Sequence, residues 1–290
     1  MEVARLAAGG ARLDVLPAIG AGIARLDVGG LPVLRPWSDD SRADPFALGC
    51  NLLAPFSNRI SSGFDHAGRR LTIEPNLPGE AMPIHGDAFQ KPWRITERSG
   101  VAIRLELAGG AIGPWRYRAE VTYRLEPDSL SAGLALVSLS EDVVPFGLGF
   151  HPWFPRSGHT RLRFRADAVW PEDDRHLPAT EAPEVIPAAW DFTSIRPLPQ
   201  GWINNAFAGW DGRASVEQGP DALSVEIHAS EPLRTALIYS PGDEAPFFCF
   251  EPVSHPVDAV NLPGRPGLQE LAPGQTLSAE MQLRWIKGGG

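Results

Sequence analysis

"YRAEVTYRL", residues 117–125, repeats with a period of two: Ala119, Val121, Tyr123 and Leu125 share one face, and Arg118, Glu120, Thr122 and Arg124 the other. Successive side chains of an extended chain point to opposite sides, so this pattern dries one face of a strand and wets the other. The same period appears in "VAIRLEL" (101–107), "ALSVEIHA" (222–229) and "LSAEMQLRW" (277–285). "LSAGLALVSL" (130–139) is largely apolar on both faces, which predicts a central strand covered on both sides. No window sustains helical spacing, and 30 Gly and 29 Pro punctuate the chain as turns between many short strands would. These patterns predict an all-β fold, a large antiparallel β-sandwich.

The 290 residues are read as a single domain, 1–290, with its core over 10–285 and a flexible tail over 286–290. Residues 171–212, rich in Pro and acid and poor in alternation, are expected to form a long excursion; loops on a rigid β scaffold often carry binding residues. A net charge of −9 speaks against nucleic-acid or anionic-membrane partners, which need a basic face, and favours a small neutral ligand. A cytoplasmic location is expected because no apolar run has the length of a signal peptide core or a membrane span. Cys50 and Cys249 are too few for a disulfide framework and read as buried free thiols. Nothing in the sequence sets an oligomeric state.

Four stretches place a polar or titratable group among apolar or turn residues: "FSNRI" with Asn58 and Arg59, "PIHGDAF" with His85, "GFHPWF" with His151, and "FCFEPVSHP" with Glu251. A lone histidine at an apolar strand end is more often a hydrogen-bonded core residue than a ligand. Glu251 is harder to explain as filler, because a carboxylate following "FFCF" loses several kcal/mol of hydration unless it is paired or used. His85, His151, His255 and Glu251 could in principle ligate a metal, but no H-x-H, H-x-x-x-H or H-E-x-x-H spacing occurs, and no cofactor motif is present. Nine tryptophans suit a sugar's apolar C–H faces; most should be packing, with Trp93 and Trp153 nearest the histidines, while Asp191 and Asp211 are secondary candidates.

In this order, "NRI", "HGDAF", "GFHPWF" and "FEP" resemble the aldose 1-epimerase (galactose mutarotase) family over about residues 10–285. The resemblance implies an isomerase on a galactose mutarotase-like sandwich that interconverts the α and β anomers of free hexoses such as glucose or galactose, with no cofactor and no metal. Carried over, Glu251 is the base and His151 the acid, while Arg59 and His85 bind the sugar; Asn58 and Trp153, beside them in the same motifs, join the substrate-binding set. With ordinary pKa values of about 4.3 and 6.5, Glu251 would already be ionised at neutral pH, and its field is expected to raise His151 toward neutrality. The family usually has an aspartate three residues before Phe207, where this chain has Asn204. A neutral amide makes a weaker bond than a carboxylate, so Asn204 bears on affinity and sugar preference. Two other readings stay open: a hexose-6-phosphate 1-epimerase drawing on Arg59, Lys91, Arg94 or Arg156, and a non-catalytic sugar-binding protein.

Overall fold

A computed structural model describes residues 1–37 and 44–287. Two antiparallel sheets dominate it. The first has nine strands in the order Arg196–Pro197, Arg161–Phe164, Arg213–Glu217, Leu223–Ala229, Thr276–Lys287, Ser129–Ser138, Trp115–Leu125, Ala102–Ile112 and Arg94–Arg98. The second has ten, running from Ala4–Ala8 and Ala11–Leu16 through Gly22–Val28 (which also carries Leu31–Pro32), Cys50–Leu53, Gly149–Pro155, Phe247–Val253, Thr235–Ser240 and Ile203–Ala208 to Ala168–Trp170.

The two sheets face each other across one hydrophobic cluster: Leu105, Val121, Leu134 and Leu136 come from the nine-stranded sheet, and Leu52, Phe150, Phe154, Phe248 and Phe250 from the ten-stranded one. Edge-on aromatic contacts lock the layers, as where Phe164 meets Phe207 and Phe250 at centroid separations of 5.1 and 5.3 Å. The tyrosines of the period-two strand reach across as well, Tyr117 donating to Ala54 O at 3.0 Å and Tyr123 to Ala21 O at 2.9 Å. Burial consumes the ring while the hydroxyl finds a backbone acceptor inside the core.

Three expectations need correction. Ser129–Ser138 is central in its sheet but alternates buried and half-buried residues, because its outward residues Ser131, Gly133 and Ala135 are small and are shaded by neighbours rather than by another layer. The core starts earlier than residue 10, with Ala4 and Leu6 fully enclosed, and Ile286 and Lys287 finish the last strand instead of starting a tail; residues 288–290 lie outside the described residues. The excursion ends near residue 202, since Ile203–Ala208 is a regular strand inside the ten-stranded sheet. No helix of the described residues is long and apolar enough to cross a membrane.

Candidate active site

Period two also governs the apolar stretches that looked featureless. In Gly149–Pro155, Phe150 and Phe154 enter the core between the sheets, so His151 and Trp153 face the other way; in Phe247–Val253, Phe248 and Phe250 turn inward and Cys249 and Glu251 outward. The strands pair antiparallel with Gly149 opposite Val253 and Trp153 opposite Cys249, which sets His151 opposite Glu251. On neighbouring strands the same rule turns Asn204 and Tyr239 to this face, where they stand opposite each other. Loops roof the face and enclose a cavity of about 220 Å³, lined among others by Phe46, Arg59, His85, His151, Trp202 and Glu251.

At the cavity floor His151 Nε2 lies 3.3 Å from Glu251 Oε1, with both side chains buried. Among the described residues, Glu251 Oε2 and His151 Nδ1 have no hydrogen-bond partner. Burial pushes the Glu251 carboxyl well above the usual carboxylate range, against an opposing pull from Arg59. Burial also pushes His151 down to about 3, with Arg35 adding to the effect. The expected rise of the imidazole toward neutrality therefore does not occur. Both desolvation effects favour the uncharged forms, and at this depth they outweigh the attraction between the partners. Burial thus drives the pair toward a protonated carboxyl and an unprotonated imidazole.

His85 is fixed as a donor. Asn58 N donates to its Nδ1 at 3.0 Å, which leaves the proton on Nε2, and burial keeps the ring neutral by holding its pKa well below 6.5. The "HG" pair makes this possible: His85 and Gly86 both have left-handed φ (60° and 67°), and a Cβ on Gly86 would sit 2.0 Å from Ala54 O. Asn58, itself at φ 53°, lines the cavity but spends its backbone on His85, accepting from His85 N at 2.9 Å, and its Oδ1 on Arg59 N. Arg59 reaches the cavity with its guanidinium paired to Glu80 at 3.1 Å.

Trp153 lines the cavity but is no free platform for a sugar. Its ring packs on His151 at 4.9 Å, lies 3.9 Å from the Arg35 guanidinium, and is 7% exposed. The open indole is that of Trp202, 47% exposed, which the sequence reading passed over along with Glu80, His176 and Tyr239. Tyr239 was accessible in principle from the alternation of "ALIYS"; the other three lie in irregular segments without a signal. Trp93 is core, donating to Ala88 O, so seven of the nine tryptophans lie outside the cavity lining.

Asn204 lines the cavity and donates from Nδ2 to Glu172 Oε2 at 2.6 Å. Asp191 and Asp211 do not belong to the site. They accept from Thr193 N and Arg213 N, two residues on, as turn-forming aspartates do. His255 is structural, accepting from Ser57 N at 3.0 Å with its other ring nitrogen 2.7 Å from Pro256 O. Cys249 instead joins His151 and Glu251, the ligating atoms of the three lying within 4.8 Å of one another. Burial, reinforced by Glu251, raises the Cys249 thiol well above its ordinary range. Cys50 is likewise a buried free thiol.

The family model described as aldose 1-epimerase matches residues 2–284. An uncharacterized protein of Escherichia coli (strain K12), YphB, is 33% identical over 264 residues, covering 88% of this chain and 90% of that protein. A crystal structure from E. coli K12, of a protein provisionally described as an aldose 1-epimerase, superposes with a TM-score of 0.91 at 31% identity over 99% of both chains. A galactose mutarotase-like protein from Clostridium acetobutylicum shares the fold, with a TM-score of 0.83 at 19% identity over 98% of this chain and 94% of that one. Matched over nearly its whole length, on a galactose mutarotase-like sandwich, this chain belongs to the aldose 1-epimerase family.

Proposed function

We propose that the protein is an aldose 1-epimerase, a cytoplasmic single-domain isomerase that interconverts the α and β anomers of free hexoses such as glucose or galactose. The observation that carries this reading is the 3.3 Å approach of His151 Nε2 to Glu251 Oε1 on the floor of a cavity lined by polar and aromatic groups. Ring opening takes a proton from the C1 hydroxyl and gives one to the ring oxygen, and both oxygens are bonded to C1, so acid and base must be close neighbours. Pure binding has no use for such a pair.

In ring opening Glu251 takes the proton from the C1 hydroxyl while His151 donates to the ring oxygen; rotation about the bond from C1 to its carbon neighbour and reclosure by the reverse transfers invert the anomeric centre. Burial favours the proton on Glu251, so sugar binding has to pass it to His151, which then carries the proton given to the ring oxygen and leaves Glu251 as the base. Hydroxyls donating to the unpartnered Oε2 favour the carboxylate, and Arg59 acts in the same direction. His85 Nε2–H and Arg59 then hold hydroxyls away from C1. No step needs a metal or cofactor.

The four cations named for the 6-phosphate reading all have partners among the described residues. Of the four named, Arg59 is held by Glu80, Lys91 by Asp87 at 3.1 Å, Arg94 by Glu106 at 2.6 Å, and Arg156 by Ser240 Oγ and Pro199 O. A phosphate would also meet Glu80 and Glu251 among the lining residues. The test is polarimetry or anomeric NMR on fresh α-D-glucose and α-D-galactose, with their 6-phosphates alongside. Free hexoses should equilibrate faster than in buffer, with the rate unchanged by prolonged chelation. A chain that binds hexose but never exceeds the buffer rate is a binding protein, and a rate lost with chelator and restored by zinc would replace acid–base chemistry with metal chemistry.

A further inference from the structure

The excursion contributes a half-buried carboxylate that the proton-transfer chemistry does not use. Glu172, 17% exposed in its side chain, accepts from Asn204 Nδ2 at 2.6 Å and from Trp202 Nε1, and its Oε2 lies 2.8 Å from His176 Nδ1. All three partners line the cavity, whereas Glu172 stands behind them. One charge thus organises one whole side of the site, the side away from His85.

The consequence follows from donor and acceptor chemistry. An ionised carboxylate can only accept, so of the two ends of the Asn204 amide only Nδ2 can face Glu172. Asn204 Oδ1 is then left for the cavity, and no protein donor reaches it among the described residues. A donor already engaged with a negative charge polarises the amide and strengthens its oxygen as an acceptor. The same carboxylate pins the indole of Trp202, an exposed ring that would otherwise sample several rotamers.

We propose that Glu172 is a positioning residue for sugar recognition: by holding Asn204 and Trp202 it presents a fixed, charge-backed acceptor and an aromatic wall that select the stereochemistry of a hexose hydroxyl. The inference rests on the sugar-processing reading above. It also reverses the expectation that a carboxylate at position 204 would improve binding, because Asn204→Asp sets two carboxylates in hydrogen-bond contact.

The test moves the charge. Glu172→Gln keeps the shape but lets the Asn204 amide flip, so KM for the preferred hexose should rise by about 5- to 10-fold, kcat should change by less than about twofold, and the ratio of glucose to galactose affinities should narrow. Asn204→Asp alone should weaken binding. The double variant Glu172→Gln/Asn204→Asp presents an acceptor that needs no orientation, and should recover affinity and discrimination toward wild type. A merely structural role would not be rescued in this way. An unchanged KM and epimer ratio in Glu172→Gln, or a folded double variant no better than Glu172→Gln, overturns the proposal. Calorimetric binding of both hexoses is run beside the kinetics. A wild type without turnover sinks the mutarotase reading, while calorimetry still decides the role of Glu172.

Discussion

Trp115–Leu125, in the nine-stranded sheet, alternates buried and exposed residues almost without fault, whereas Gly149–Pro155, in the middle of the ten-stranded sheet, is buried from Gly149 to Phe154. The inward faces are alike, since both feed the same core. The outward faces differ. On the nine-stranded sheet they carry solvated ion pairs such as Arg94–Glu106 and Arg104–Glu97, worth little energetically. On the ten-stranded sheet they are roofed by loops around Phe46, Asn58 and His85 and by the excursion. A roof turns a charged sheet surface into a cavity with a buried floor, and there His151 and Glu251 lose the hydration that fixed their ordinary protonation states.

The strongest attack on this contrast is Glu251→Gln, which keeps the size and removes the base. Sugar should still bind, while mutarotation falls by about 10²- to 10⁴-fold, the range a positioned base contributes. His151→Asn should behave alike, with the double variant losing much less than the sum of the two. Full activity in Glu251→Gln, assayed by polarimetry, would show that the roofed pair is not the catalyst.

The shared inward face is tested by Leu105→Ala, at a fully enclosed core position of the nine-stranded sheet. Chemical denaturation should show a loss of about 2–5 kcal/mol, from lost transfer energy and the cavity left behind. A loss below 1 kcal/mol would mean that the site collapses around the gap, contrary to a single well-packed core.

Desolvation should also be visible as a pH dependence of stability. Folded Glu251 retains a proton that the unfolded chain releases above about 4.5, so its contribution to stability declines as pH rises from 4.5 toward the raised folded value. The difference in Tm between Glu251→Gln and wild type should therefore grow in favour of the variant as pH rises above about 5. His151 has the opposite sign: the unfolded chain takes up a proton below 6.5 and the folded one only near 3, so stability is lost as pH falls through that window, and His151→Asn should lose less. Parallel Tm curves for the variants and wild type would place these groups in water.

The smallest effect is expected on the open face. Arg94→Ala breaks an ion pair whose arginine side chain is 72% exposed, and should change stability by less than about 0.5 kcal/mol.

Much of this contrast was legible along the chain. "YRAEVTYRL" announced its sheet because one face is wet and the alternation is a local property of the strand. Asn58, Arg59, His85, Asn204, His151 and Glu251 were found through short motifs and do line one cavity. The parity of "GFHPWFP" and "FFCFEPV" was hidden, because a roofed strand is apolar on both faces and composition no longer tells them apart. Glu172, Glu80, His176 and Trp202 were missed because irregular segments have no period to read.

The sequence by itself determined the period of each open strand, and with it the all-β class and the motifs that brought the catalytic candidates to notice. Only the tertiary structure decided that His151 stands opposite Glu251, 100 residues away, that Glu172 lies behind Asn204, and that burial pushes both His151 and Glu251 toward their uncharged forms. The reason is physical: alternation is set residue by residue along one strand, whereas register, loop coverage and desolvation arise when segments distant in sequence exclude water from one another.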